Sequence, residues 1–378
     1  MPFEHYLRSG DRLLRCGFTT GSCAALAASG AVRLLLTGHA PESLRLVTPA
    51  GLPIELSPAL CQWEGASAVC AVEKDAGDDP DVTDGLRVFV RAEKTERGLT
   101  LCGGEGVGRV TKPGLDQPVG EAAINSVPRR MILAAAEEVS AELGYGGGLR
   151  LTVFVPGGEA LAQKTFNPQL GVVGGISILG TSGVVEPMSE QALVDTIALA
   201  LCQAARTSRR VILVPGDYGM NYVNQHHPAL AQIPRVKCAN FLGDAVDLAL
   251  LEGFSEILLI GHAGKLVKLA GGIWNTHSRM ADCRRELFCA HAALCGADTA
   301  CCRALMEQVS SEGCLAVLDG AGLREKVMES LLAAIQTVLD RRAGGRAAVG
   351  ALLFSNAAGL LGRTAGAEAL CRRWEAEA

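Results

Sequence analysis

Residues 256–277 read EILLIGHAGKLVKLAGGIWNTH. The run Ile257 to Ile260 is apolar without alternation, which suits a strand covered on both faces in a parallel sheet rather than a half-exposed one. It breaks at once into Gly261, His262 and Lys265, so its polar groups gather at one end. The same pattern of compact apolar strand, turn and amphipathic helix recurs on either side. The further strands are GISIL from Gly175, RVILV from Arg210 and AVGALLF from Ala348, with helices from Glu190 to Arg206 and from Asn240 to Glu252. Strand and helix in alternation predict a Rossmann-like, doubly wound α/β domain whose ligands bind outside the carboxyl edge of its sheet. A helical insertion from about Ser278 to Arg342 reads as packing material or a lid.

Upstream the rhythm differs. Short extended pieces, LRLVT, LPIEL, SAVCAVEK and LRVFVRAE, alternate with polar turns and the glycine-rich CGGEGVGRVTKPG. Two helices interrupt them, Ser22 to about Leu36 and Arg129 to about Leu143, each behind cap-like residues. This half reads as α+β. The glycines of GYGGG at 144–148 make the best hinge, so the expected domains are 1–147 and 148–378.

The totals exclude several classes. A chain of 378 residues supports two or three domains at about 150 residues each. With 49% hydrophobic and 20% charged residues it is far from a disordered composition. A net charge of −5 gives no support to a nucleic-acid-binding face, so any anion site must be local. The 14 cysteines lie behind an N-terminus without the apolar stretch of a signal peptide, which predicts free thiols in the cytoplasm. Cys283, Cys289, Cys295 and Cys301 recur every six residues, and six helical steps turn each thiol by about 240°, so no protein metal site is expected. The greasiest stretch, ALVDTIALALCQAA, is too short to span a bilayer and carries Asp195.

Several loops could carry chemistry. Gly180, Thr181, Ser182 and Gly183 follow the GISIL strand and form a turn that could cradle a nucleotide, although the dinucleotide glycine spacing is absent. Asp217 follows RVILV, where an acidic group can accept from ribose hydroxyls. A plain turn accounts for either equally well. In IGHAGKLVKLAGGIWNTHSR, Lys265 and Lys268 could grip carboxylates and Asn275, Thr276 and His277 could bond a polar ligand, while His262 is either functional or a satisfied core histidine. Walker spacing fails there. Asp75, Asp78 and Asp79 belong to an aspartate-rich loop that lacks EF-hand spacing and suits either turns or a polar ligand. The doublet His226-His227 reads as surface loop. Thr19, Thr20 and Ser22 open one helix, and Arg129 and Arg130 the other, offering hydroxyls, amides and guanidinium forks to anions.

In this order, RCGFTTGSCAALAA, VEKDAGDDPDVTDG, GEGVGRVTKPGL, AAINSVPRRMI, KTFNPQLGVVGGISILGTSGVVEPMS, CANFLGDAVDLALLEGF and IGHAGKLVKLAGGIWNTHSRMADCRRE resemble the cobalt-precorrin-5B C-methyltransferase family, the CbiD type. The resemblance covers most of residues 15–286 and fades over the last 90 or so. It implies transfer of a methyl group from S-adenosylmethionine to ring carbon 1 of a corrinoid, giving cobalt-precorrin-6A in anaerobic cobalamin biosynthesis. Cobalt would then arrive inside the substrate, whose acetate and propionate arms need cationic and amide donors. Gly180 to Gly183 and Asp217 become donor-binding candidates. His262 and His277 are candidates for proton relay, and the remaining loop residues are candidates for the substrate. Two other readings stay open, a nicotinamide-dependent tetrapyrrole reductase and a non-catalytic carrier. A small-molecule partner, no nucleic acid and no membrane are expected, and the sequence leaves homo-oligomerisation open.

Overall fold

The computed structural model describes residues 3–9, 11–165 and 167–377. Two compact units emerge, Met1–Ser189 and Glu190–Ala378, so the chain divides well downstream of the 147/148 boundary expected from the glycines.

The first unit is α+β, as its short strands foretold. Its main sheet runs in the order Leu60–Glu64, Ser67–Glu73, Arg87–Thr95, Gly148–Phe154, Leu99–Gly103. Here lies the reason GYGGG is no hinge. The strand Gly148–Phe154 that follows it pairs with Arg87–Thr95 on one side and Leu99–Gly103 on the other, and is therefore interior to the sheet. One face alternates Ala68, Cys70, Val72 with Val88, Val90, Ala92 and Leu149, Leu151, Val153, all in a single core with the helices Thr20–Thr37 and Ser126–Glu142. Thr20–Thr37 is long and apolar enough to cross a bilayer, but 78% of it is buried in this core. Its sequence explains that position. Cys23 to Ala28 carry no bulky group except Leu26, so the helix can be enclosed on every side, and Gly38 ends it in the left-handed conformation at φ +81°.

The expected GISIL strand is corrected. Only Gly175–Ile176 is extended, and it pairs in parallel with Gly106–Val107 inside the first unit rather than with the apolar strands downstream. The reason is backbone crowding. A Cβ on Gly175 would sit 2.2 Å from the Gly106 carbonyl oxygen, so this pairing closes only around glycine, a demand of geometry rather than of hydrophobic pattern.

The second unit is the alternating α/β domain. Its sheet runs Arg235–Lys237, Arg210–Val214, Glu256–His262, Ala348–Ser355, Gly359–Arg363, parallel except for the last strand. In chain order that is 2-1-3-4-5. Val211, Leu213, Ile257 and Leu259 face the helices Glu190–Ala205, Leu242–Leu251 and Arg324–Ala343; Ile212, Val214, Leu258 and Ile260 face Asp217–His226 and Ala365–Ala376. Both faces are dry, which is why the strands read as unbroken apolar runs. The insertion forms Arg284–Leu294, Thr299–Met306 and Ser311–Gly320 ahead of Arg324–Ala343, and packs Phe288, Leu305, Cys314 and Leu318 into the first of these cores.

One charge lies at the start of this sheet. The Glu256 carboxylate, 7% exposed, takes Arg210 Nε at 3.0 Å and the Arg373 guanidinium and Trp374 indole N–H of the C-terminal helix. It fastens that helix to the sheet. Glu256→Gln is expected to lower unfolding stability by about 2 kcal/mol, since hydrogen bonds to a charged group are lost while shape is kept. Urea unfolding with an unchanged m-value is the measurement, and an unchanged midpoint would show the fastening to be idle.

Candidate functional site

The carboxyl edge of the second unit's parallel strands collects the polar groups. After Arg210–Val214 come Pro215, Gly216 and Asp217; after Glu256–His262 come Ala263 to Lys265; Ser355 ends Ala348–Ser355. The helix after Arg210–Val214 lies on one face of the sheet and the segment after Glu256–His262 on the other. The gap between those two strands is therefore the switch point of the topology, where doubly wound sheets hold ligands.

Lys265 spans that gap. Its Nζ donates to the Pro215 carbonyl at 3.1 Å and to the Ala239 carbonyl at 3.4 Å, and among the described residues no carboxylate pairs with it. Burial holds the ammonium below the usual lysine range. Ala239 itself has φ +49°, a left-handed backbone at a residue other than glycine. Cys238 beside it is enclosed, and burial pushes its thiol up to about 12. Asp217 pairs with Lys237 across the mouth of the same edge and is otherwise exposed. His262 Nδ1 accepts the Gly264 N–H at 3.0 Å, so the ring proton sits on Nε2, which donates to Glu312 Oε1 at 3.1 Å. Glu312 Oε2 accepts the Ser355 hydroxyl at 2.9 Å. Both nitrogens of His262 are thus engaged by the chain, which suits an oriented group better than a free base.

The rest of the IWNTHSR loop serves itself. Lys268 is buried, donating from Nζ to the carbonyls of Thr276 at 3.0 Å and Ala281 at 2.8 Å. Thr276 Oγ donates to Asn240 Oδ1, Asn275 Oδ1 accepts the His277 N–H, and His277 is exposed with Nδ1 accepting the Arg279 N–H. Glu312 and Ser355 were missed in the sequence. Glu312 lies in a helical insertion 50 residues from His262, and no local spacing connects them.

The glycine turn 180–183 lies in the first unit and follows no strand of the five-stranded parallel sheet. It packs onto the start of Thr20–Thr37: a Cβ on Gly180 would lie 2.3 Å from Thr19 Oγ, and Ser22 Oγ donates to the Gly183 carbonyl at 2.7 Å. Thr20 Oγ accepts the Leu179 N–H at 3.0 Å, Ser182 Oγ donates to the Val184 carbonyl, and Thr181 is exposed at the tip. Thr19, Thr20 and Ser22 are buried, the hydroxyls of Thr20 and Ser22 committed to the 179–183 stretch and that of Thr19 capping the Ser22 N–H at 3.3 Å. The aspartate loop is likewise internally paired. Asp75 takes the Arg15 guanidinium in a two-pronged pair at 2.5 and 2.7 Å, Asp78 accepts the Arg15 N–H, Asp79 the Met188 N–H, and Asp81 the buried Lys74 ammonium at 2.6 Å. At the start of Ser126–Glu142, Arg129 keeps a buried Nε without a hydrogen-bond partner among the described residues, and Arg130 is exposed. Among the described residues no cluster of three or more His, Cys, Asp or Glu is arranged to hold a metal ion.

Comparison with known proteins follows from these features. Two family models match, CbiD over residues 8–187 and the CbiD C-terminal domain over residues 275–365. The chain is 43% identical over 354 residues to the cobalt-precorrin-5B C(1)-methyltransferase of Ruminiclostridium cellulolyticum, covering 93% of this chain and 92% of that protein. The protein of that name from Clostridium perfringens is 42% identical over 332 residues, 87% of this chain and 90% of its own. The crystal structure of a cobalamin biosynthesis protein (cbiD) from Archaeoglobus fulgidus is 29% identical, covers 74% of this chain and 87% of its own, and gives a TM-score of 0.39.

The Arg15 guanidinium holds the Asp75 carboxyl below the usual carboxylate range. A carboxyl depressed in the folded state contributes stability that is complete above its ordinary value, about 3.9, and disappears as pH falls through the lower folded value. Acid titration of unfolding stability is therefore expected to fall less steeply below about pH 4 in Asp75→Asn than in the parent chain. Equal slopes in the two would show that the pair adds nothing.

Proposed function

The chain belongs to the CbiD family, and from that premise we propose how it works as a cobalt-precorrin-5B C(1)-methyltransferase of cobalamin biosynthesis. The methyl donor is S-adenosylmethionine, and its site is the carboxyl edge of the second unit, a Rossmann-like domain. The switch point between Arg210–Val214 and Glu256–His262 supports this reading, together with the chemistry of the groups gathered there. Asp217 accepts from ribose hydroxyls, and Gly216, whose missing side chain would meet nothing within 4 Å, leaves room for the nucleoside. Bound there, the donor supplies a sulfonium-borne methyl group that an electron-rich ring carbon can take in line.

The chain's own work is orientation. Alignment alone supplies effective molarities of about 10⁵ M or more, so no strong base is required for the transfer. His262, tied at both nitrogens, holds the edge in register. The polycarboxylate corrinoid is read onto the helix start at Ser126, where Asp116 already takes the Ser126 amide and Arg129 and Arg130 supply the guanidinium donors, the Arg129 Nε having no partner among the described residues. Cobalt comes with the substrate. We assign the enzyme to the cytoplasm, where 14 free cysteines stay reduced.

Labelled S-adenosylmethionine and cobalt-precorrin-5B should yield labelled corrinoid. Asp217→Ala is expected to raise the donor KM about tenfold with little change in kcat, and Arg129→Ala to raise the corrinoid KM by a similar factor. Label transfer without any donor KM change in Asp217→Ala would move the donor elsewhere.

A further inference from the structure

Two thiols of the first unit stand side by side on its sheet. Leu60–Glu64 and Ser67–Glu73 pair antiparallel with Cys61 directly opposite Cys70, so both side chains project from the same face. Residues so opposed hold their Cα atoms about 4.5–5.5 Å apart, inside the span of a disulfide. Their sulfurs converge on one residue of the helix Thr20–Thr37. The Cys61 thiol donates to the Gly30 carbonyl at 3.7 Å, and a Cβ on Gly30 would lie 2.6 Å from Cys70 Sγ. The two thiols also touch each other, Cys70 donating to Cys61 Sγ.

Their surroundings are unequal. Cys61 is half-buried on the edge strand of the sheet, whereas Cys70 is enclosed in the core one strand further in. The hydrogen bond from Cys70 holds the Cys61 thiol below its usual range, while that same contact and burial push Cys70 up. Burial without such a donor acts in the opposite direction on Cys23, whose thiol rises to about 12. A reachable sulfur that ionises readily, with a second thiol behind it, is the arrangement of a redox-responsive pair.

We propose that Cys61 and Cys70 form a reversible disulfide, Cys61 attacking first and Cys70 resolving. The dithiol is the resting state, and the oxidant is a low-molecular-weight disulfide. The Cys61 thiolate attacks one sulfur of that disulfide, bonds to it and expels the other half as a thiolate. Cys70 then gives up its proton and attacks Cys61 Sγ, and the second half leaves. Two thiols of the chain are oxidised, one external disulfide is reduced to two thiols, and those two carry away both protons. The bridge ties the edge strand covalently to its neighbour and withdraws the Cys61 S–H from Gly30. It does not depend on where the methyl donor or the corrinoid binds.

The test is treatment of the full chain with oxidised glutathione, at a concentration that modifies the exposed Cys102 and Cys283, followed by non-reducing digestion and mass spectrometry. A peptide pair joined through Cys61 and Cys70 is expected, and dithiothreitol should release it. C70S is expected to stop with glutathione on Cys61, and Cys70 in C61S to react about tenfold more slowly than Cys61 does in C70S. Glutathione on Cys102 and Cys283 without a Cys61–Cys70 link overturns the proposal, as does a link from Cys61 to another cysteine in its place. Cys70 reacting in C61S as fast as Cys61 in C70S overturns the order of attack. The parent chain alone decides whether the link forms, so a folding defect in either variant does not shield the proposal from refutation.

Discussion

Dry cover on both faces of the strands Arg210–Val214, Glu256–His262 and Ala348–Ser355 is the constraint on which the second unit depends. Alternate residues face two separate cores, so no position along these strands tolerates an unpaired polar group. Polar side chains are expelled to the strand ends. Glu256 stands at one end, satisfied by two arginines and a tryptophan, while His262 and Ser355 stand at the other. The chemistry of the edge is a consequence of the apolarity of the strands.

The first unit meets the same cost in a different way. Lys74 is buried and would be expensive alone, yet Asp81 lies 2.6 Å away and is itself held by the Thr83 amide and hydroxyl. Every aspartate named in that loop is similarly matched, to Arg15 or to a backbone amide. A run of carboxylates that looks like a cation site along the chain is, in space, a clasp joining the loop to Arg15 and to Met188. The turn 180–183 does comparable work for the start of Thr20–Thr37, where glycine gives the close approach and buried hydroxyls take up carbonyls and amides that would otherwise be stranded.

Family membership and this charge logic divide the labour. Relatives tell what reaction the chain performs, and the arrangement of unsatisfied charge supports our proposal of where its reactants are held. Arg129 and Arg363, each with a buried Nε that has no partner among the described residues, and Lys265, with a spare donor, stand out because nearly all other buried polar atoms are paired within the chain. Both nitrogens of His262 are engaged within the chain, by Gly264 and by Glu312.

Much was legible along the chain. Apolar runs without alternation identified three strands of the parallel sheet, and helical periodicity found Thr20–Thr37, Ser126–Glu142, Glu190–Ala205 and Leu242–Leu251 to within a few residues, because both signals are local. Motif resemblance reached the reaction. The GISIL segment misled, because its partner Gly106–Val107 lies some 70 residues away and was selected by backbone crowding, which leaves no hydrophobic period. The edge strands Arg235–Lys237 and Gly359–Arg363 were too short or too mixed to register. Only the folded chain could bring Glu312 from the insertion to His262 and Ser355, or show that the aspartates were already spent. Hydrophobic periodicity is written between neighbours in sequence, whereas the pairing of charges depends on distances that exist only after the chain has closed on itself.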